Sequence, residues 1–273
     1  MKASSIPIAI TYCTYVGNGL IGGIKVIILK SKREIELMHK AGQLLANCHK
    51  EIAKRIKPGV TTLEIDAFVE QYLKKHGATP EQKGYKGYEF ATCASINDEI
   101  CHGFPRNTPL QNGDIVTIDM VVNLNGALAD SAWSYAVGDV SPQAAKLLQV
   151  TEEALNKAIE QSVVGNRLGD IGHAIQSYVE DVGYSVVRDF TGHGIGRTIH
   201  EPPTVLHYGE PNKGQRLKEG MVITIEPMVN IGAWESKMDD NHWTARTVDG
   251  SLSAQYEHTI AITKDGPLIL TKQ

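Results

Sequence analysis

The chain has 273 residues, 42% of them hydrophobic and 21% charged, with a formal net charge of −4. That balance is too apolar for a disordered chain, suffices to bury a core without covalent staples, and gives no global positive field for nucleic acid or anionic lipid. The cysteines (Cys13, Cys48, Cys93, Cys101) form no Cys-x-x-Cys pair, which argues against a zinc ribbon or a disulfide framework and fits a reducing cytosol.

Residues 1–26 read as a leader of unassigned structure. Lys2 is the only charge before Lys25, and Thr11, Thr14, Gly17, Asn18 and Gly19 interrupt the apolar part. A signal peptide has a cleaner apolar middle, so a loosely packed leader is expected. No uninterrupted run of about 18 apolar residues marks a membrane helix.

Ser31 and Glu34 form a capping box ahead of Ile35, Met38, Leu45, Cys48 and Ile52, predicting a long amphipathic helix that stops by Pro58-Gly59. Thr61 and Glu64 cap a second helix carrying Ile65, Phe68, Val69 and Tyr72, ended by Gly77. Strand-like runs follow at 114–122 and 127–137. Ser141-Pro142 opens a third helix, with proline at the first helical position. A fourth is expected over 168–182, before Gly183. Two further strand-like runs cover 221–227 and 256–263.

An internal repeat links these elements. Ile65, Val69 and Tyr72 correspond to Ile171, Ile175 and Tyr178 at an offset of 171 − 65 = 106. The run from Asn112 to Asp119 corresponds to that from Glu219 to Glu226 at 226 − 119 = 107. Two segments of different type recurring at nearly one offset imply two pseudo-symmetric halves, about 27–140 and 141–273, sharing one core.

The same alignment places Asp119 and Glu226 at equivalent ends of two apolar strands. A carboxylate so embedded needs a partner or a metal. Asn125-Gly126 is a strong hairpin signal. A two-residue turn there pairs Leu124 with Ala127 and Val121 with Asp130. Asp119 and Asp130 then become diagonal neighbours on one sheet face, with Cα atoms about 7–8 Å apart. Glu257 lies in another apolar run, and His193 stands between two glycines that admit close backbone approach.

Four carboxylates and one imidazole brought together unaided would repel and take up protons. Two divalent cations remove that conflict, and an oxygen-rich set with one histidine suits Mn, Fe, Co or Zn. Paired metals about 3.5–4 Å apart are a hydrolytic device. Other chemistries find no motif. The glycines around His193 do not have dinucleotide-binding spacing. No second histidine makes a zincin helix, and neither a Gly-x-Ser-x-Gly elbow nor a P-loop occurs. Cys101 beside His102 reads as a buried thiol rather than a nucleophile.

These residues resemble the type I methionine aminopeptidases. The resemblance rests on the run from Phe190 through Gly192-His193-Gly194, His200-Glu201-Pro202-Pro203 to Tyr208. It continues through Asn97 to Gly103, Gly113 to Asp119, Thr224 to Met228 and Leu252 to Thr259, and covers about 27–271. It implies an α+β pita-bread fold whose pseudo-two-fold halves surround a central antiparallel sheet. It implies two metals, one held by Asp119 and bridged by Asp130 and Glu257, the other held by Asp130, His193, Glu226 and Glu257. His102 and His200 match non-ligand histidines that contact the scissile amide; with Glu226 they are the implied catalytic residues. Tyr85, Tyr88, Cys93 and Trp243 match the wall of the methionine pocket, and a polarisable wall suits a thioether. Gln82 and Ile199 depart from residues some members carry.

The implied activity is removal of N-terminal methionine ahead of a small second residue. The implied partners are nascent polypeptide N-termini at the ribosome, with no specific nucleic acid and no membrane, and the implied state is a cytoplasmic monomer. A zinc-binding N-terminal extension is not seen, as in the bacterial short form. Two alternatives remain open: a prolidase or proline aminopeptidase of the same fold, and a non-catalytic peptide-binding module.

Overall fold

Side-chain caps start the first three helices where the sequence places them, in a computed structural model that describes residues 26–273. The leader expected over 1–26 lies, except for Val26, outside the described residues. Helix α1 spans Lys32–Ala53, with Ser31 N donating to Glu34 Oε2 at 2.7 Å and Glu34 N donating to Ser31 Oγ at 3.3 Å. Helix α2 spans Thr62–Lys75 behind the equivalent Thr61–Glu64 box. Helix α3 spans Pro142–Glu160 and α4 spans Leu168–Asp181. Helix α1 ends earlier than Pro58 allows. Lys54 N turns to Ile52 O, and Lys54 and Arg55 form a turn, because in a continued helix the Pro58 ring would clash with the carbonyl of Lys54.

The strands are β1 (Thr79–Pro80), β2 (Cys93–Ile96), β3 (Glu99–Cys101), β4 (Ile115–Leu124) and β5 (Ala127–Ala136) in the first half. The second half adds β6 (Ser185–Val186), β7 (Gly192–Gly194), β8 (Glu201–Val205), β9 (Val222–Ile225) and β10 (Met228–Asn230). It closes with β11 (Ser236–Met238), β12 (Ala245–Thr247), β13 (Ser253–Gln255), β14 (His258–Thr263) and β15 (Gly266–Ile269). All named pairings are antiparallel. One sheet holds β1, β2 and β5 on β4; another runs β15-β14-β9-β7-β8. Two small sheets, β13-β10-β6 and β11-β12-β3, complete the set.

The repeat is visible in the fold. Helices α2 and α4 start at residues 62 and 168, 106 apart. The isolated bridges Thr61–Pro109 and Arg167–Arg216 recur at 106 and 107. Helices α1 and α2 bury Leu45, Ile52, Ile65 and Val69 against β4 and β5. Helices α3 and α4 bury Leu147, Leu155, Ile171 and Ile175 against β9 and β14. The halves meet where β5 faces β14. Glu257 N donates to Ala132 O at 2.9 Å, Asp130 N to Thr259 Oγ1 at 2.9 Å, and Ser131 Oγ to Glu257 O at 3.1 Å.

Strand ends differ from the sequence pattern in an informative way. The first hairpin runs two residues further, to Leu124, because the turn keeps the ladder paired to its tip. The runs at 221–227 and 256–263 shrink to β9 and β14, whose ladder closes at His258–Ile225. Glu226 and Glu257 therefore stand one residue beyond adjacent strand ends. There the backbone of Glu257 leaves β9 and turns to β5.

Candidate active site

The Asn125-Gly126 hairpin sets the first two carboxylates. Both residues take positive φ, 54° and 84°, as a type I′ turn requires. The register pairs Leu124 with Ala127 and Val121 with Asp130, so Asp119 and Asp130 share a face and both line the cleft. Glu226 and Glu257 join them from the strand ends of the second half. His193 arrives on β7, beside β9. Asp119, Asp130, His193, Glu226 and Glu257 all line one cleft.

The donor set fits divalent metal. Ligand atoms of Asp130, His193 and Glu257 lie within 4.8 Å of one another. His193 Nδ1 is 2.9 Å from Gly194 O. A carbonyl only accepts, so Nδ1 carries the proton and Nε2 presents a lone pair. That Nε2 lies 3.7 Å from Asp130 Oδ2 and 3.6 Å from Glu226 Oε1. Burial, before all else, lowers the His193 pKa to about 4, keeping the ring neutral. Asp130 Oδ1 and Glu257 Oε1 are buried without a hydrogen-bond partner. Burial raises both carboxyls well above the usual range, and the neighbouring carboxylates raise them further. Glu226 is raised by burial and by Asp119; burial pushes Asp119 up to about 7. Orphaned, crowded and proton-holding, these oxygens have the arrangement a cation relieves.

Neighbouring groups orient this set. Thr224 Oγ1 donates to Glu226 Oε1 at 3.0 Å and accepts from His193 N at 3.1 Å. Gln255 Nε2 donates to Glu226 Oε2 at 3.3 Å. Sequence reasoning did not single out Thr224 or Gln255. Period-two spacing could have found Thr224, which shares a strand face with Glu226. Partners that hold ligands in place matter nearly as much as the ligands themselves.

His102 and His200 also line the cleft. His102 sits at φ 56°, edge-on to Phe190 at 5.6 Å and to Trp243 at 6.3 Å; burial lowers its pKa to about 4. The His200 ring lies 4.3 Å from that of His193, and its Nδ1 is 3.1 Å from Tyr85 Oη. Burial, then the nearby His193, His102 and Lys86, lower it to about 2. Both rings are thus neutral imidazoles, each with one N–H to donate.

Tyr85, Tyr88, Cys93 and Trp243 form the apolar wall. The Tyr88 hydroxyl faces away, donating to Thr92 O at 2.9 Å and Gly103 O at 3.2 Å. Tyr88 therefore offers its ring, stacked edge-on at 5.0 Å against Trp243. Gln82 bridges the gap in β4 pairing between β2 and β1. It accepts from Val121 N at 2.6 Å and donates to Asp119 O at 3.4 Å. Ile199, Val121 and Lys86 complete the lining, the last two unforeseen from the sequence. Cys101 is buried away from this lining, as expected.

No helix among the described residues is long and apolar enough to cross a membrane. The family model for metallopeptidase family M24 matches residues 36–264. Methionine aminopeptidase 1 of Bacillus subtilis (strain 168) is 50% identical over 247 residues, which span 90% of this chain and all of that protein. The crystal structure of methionine aminopeptidase from Rickettsia prowazekii superposes with a TM-score of 0.89 at 46% identity, over 90% of this chain and 100% of that one. The prolidase from Pyrococcus horikoshii OT3 superposes less closely, with a TM-score of 0.73 at 27% identity and only 64% of its chain covered. These matches favour the aminopeptidase reading over the prolidase one. A pita-bread α+β fold, a buried carboxylate–histidine centre and similarity over 90% of the chain agree: the chain belongs to metallopeptidase family M24, among its methionine aminopeptidases.

Proposed function

We propose that the chain hydrolyses the peptide bond after an N-terminal methionine, preferring a small second residue, on nascent polypeptides in the cytoplasm as a monomer. The observation that carries this reading is the partnerless, buried pair Asp130 Oδ1 and Glu257 Oε1, opening on a cleft walled by Tyr85, Tyr88, Cys93 and Trp243. We assign one divalent cation to Asp119, Asp130 and Glu257, and a second to Asp130, His193, Glu226 and Glu257. Bound there, such a pair supplies Lewis acidity and a water of lowered pKa.

The remaining work falls to the chain. Cys93 and the aromatic rings take the methionine side chain, whose thioether favours a polarisable, apolar wall. Tyr85 fixes the His200 ring by its Oη–Nδ1 contact of 3.1 Å. If the hydroxyl donates to Nδ1, Nε2 carries the proton and can donate to the scissile carbonyl oxygen as negative charge develops. A donor so aimed contributes about 2.7–4 kcal/mol, or 10²–10³ in rate. His102, lining the same cleft, contacts the same amide. Residues 27–140 and 141–273 act as one catalytic unit, and residues 1–25 are dispensable to it; a chain lacking them should keep full kcat and Tm. The test of the main reading is metal-dependent release of methionine from Met-Ala peptides, set against Met-Phe and Ala-Pro peptides. Cleavage of Ala-Pro in preference would support the prolidase reading. Binding without turnover would support the non-catalytic one.

A further inference from the structure

A buried ion pair is formed at Glu201, the residue that follows His200, outside the lining of the cleft. Lys30 Nζ and Glu201 Oε2 are 2.6 Å apart, with side chains only 6% and 8% exposed. The other oxygen, Glu201 Oε1, accepts from Arg197 N at 2.7 Å and Thr198 N at 3.4 Å. The carboxylate thus laces the base of the loop 195–200, which leaves β7 after Gly194 and re-enters at β8. Lys30 is itself anchored: its N donates to Gly220 O at 2.7 Å, and its Nζ also donates to Ile28 O at 3.2 Å. Its stem lies against Gly196, where an added Cβ would stand 2.5 Å from Lys30 Cε and 2.8 Å from Glu201 Oε1. The strut from the start of β9 to the loop has no slack.

Lysine is among the residues least often buried. A buried lysine–carboxylate pair is also a poor source of stability, because desolvation offsets the attraction and apolar residues of equal volume hold a fold as well. What the pair does supply is a fixed backbone path on both sides of His200. Tyr85 restrains the ring and Glu201 restrains the main chain that carries it. We propose that Lys30 and Glu201 are positioning residues for His200, holding the 197–201 backbone so that the imidazole meets the substrate amide. This rests on the reading of His200 as a substrate-facing donor.

The experiment measures kcat, KM, metal content and Tm on a Met-Ala peptide for Lys30→Met, Lys30→Arg, Glu201→Gln and the Lys30→Met/Glu201→Gln double variant. It adds His200→Ala alone and combined with Lys30→Met. A misplacement near 1 Å costs about 10²-fold in rate, so Lys30→Met and Glu201→Gln should lower kcat about 10- to 100-fold, with KM and metal content near those of the parent. Lys30→Arg should recover part of the loss. In the His200→Ala background Lys30→Met should lower kcat no further, since groups acting through one another are not additive. An equal fall in both backgrounds, loss of metal, or unchanged kcat in folded Lys30→Met would overturn the proposal. If Lys30→Met does not fold, the double variant, which leaves no buried charge, carries the same comparison. Parental kcat in His200→Ala alone would overturn the role of His200 itself, a result read independently of the Lys30 variants.

Discussion

Neutralising Asp119 should stabilise the metal-free protein, although it should abolish activity. Burial lifts this carboxyl from an ordinary value of 3.8 to about 7. Below the lower value both folded and unfolded chains hold the proton and no cost arises. Between the two the unfolded chain has released the proton while the folded one keeps it, so stability falls as pH rises. Above about 7 the full cost is present. At ~1.4 kcal/mol per pH unit the span amounts to ~4 kcal/mol. Asp119 is half-buried and opens on the cleft, where water relieves part of the penalty, so about 2–4 kcal/mol is the size to expect. The amide introduced by Asp119→Asn is close in size and shape to the carboxyl and cannot ionise. Urea unfolding after exhaustive chelation should therefore show Asp119→Asn more stable than the parent by ~2–4 kcal/mol at pH 7.5, with the gap closing by pH 4. With metal restored the order should reverse, because the parent gains ~2.7 kcal/mol per site at a hundredfold excess over Kd and the variant loses a ligand. A variant less stable than the parent without metal, or a gap independent of pH, would refute crowded buried charge as the character of this site.

Asp119→Asn, His193→Ala and Glu226→Gln should each lose measurable turnover in metal-replete assays while far-UV circular dichroism stays parental; near-normal activity in any of them removes that residue from the ligand set. His49 is fully buried between Tyr135 Oη at 2.8 Å and Ser131 O at 3.2 Å, and burial lowers its pKa to about 3. Its contribution is complete above about pH 6.5 and is lost as pH falls, so between pH 7 and 4.5 the stability difference between parent and His49→Gln should shift by ~2–3 kcal/mol in favour of the variant. Gly126 takes φ +84° with nothing within 4 Å of an added Cβ, so Gly126→Ala should cost ~1–2 kcal/mol of stability from backbone strain alone and leave kcat unchanged; a drop in kcat would show that the hairpin tip touches the cleft.

What the amino-acid order alone determined is local. Ser31–Glu34 and Thr61–Glu64 cap helices through bonds three residues long, and Asn125-Gly126 supplies the positive φ that the hairpin needs. That one turn carried the parity placing Asp119 and Asp130 on a shared face, and the repeat at 106–107 marked Glu226 as the counterpart of Asp119. The caps and the turn rest on neighbours in sequence, and the repeat is a likeness between two stretches of sequence, so a pattern can record each. Tertiary structure alone decided how the halves meet: Asp130 bonded to Thr259, Ala132 to Glu257, the ladder of β9 and β14 ending one residue short of both glutamates. It also turned the Tyr88 hydroxyl to the backbone, brought Gln255 onto Glu226, and set Lys30 against Glu201 across 171 positions. No periodicity encodes such contacts. They arise when two cores bury their apolar faces together, and the polar groups caught between them must then be satisfied by whatever the packing brings near.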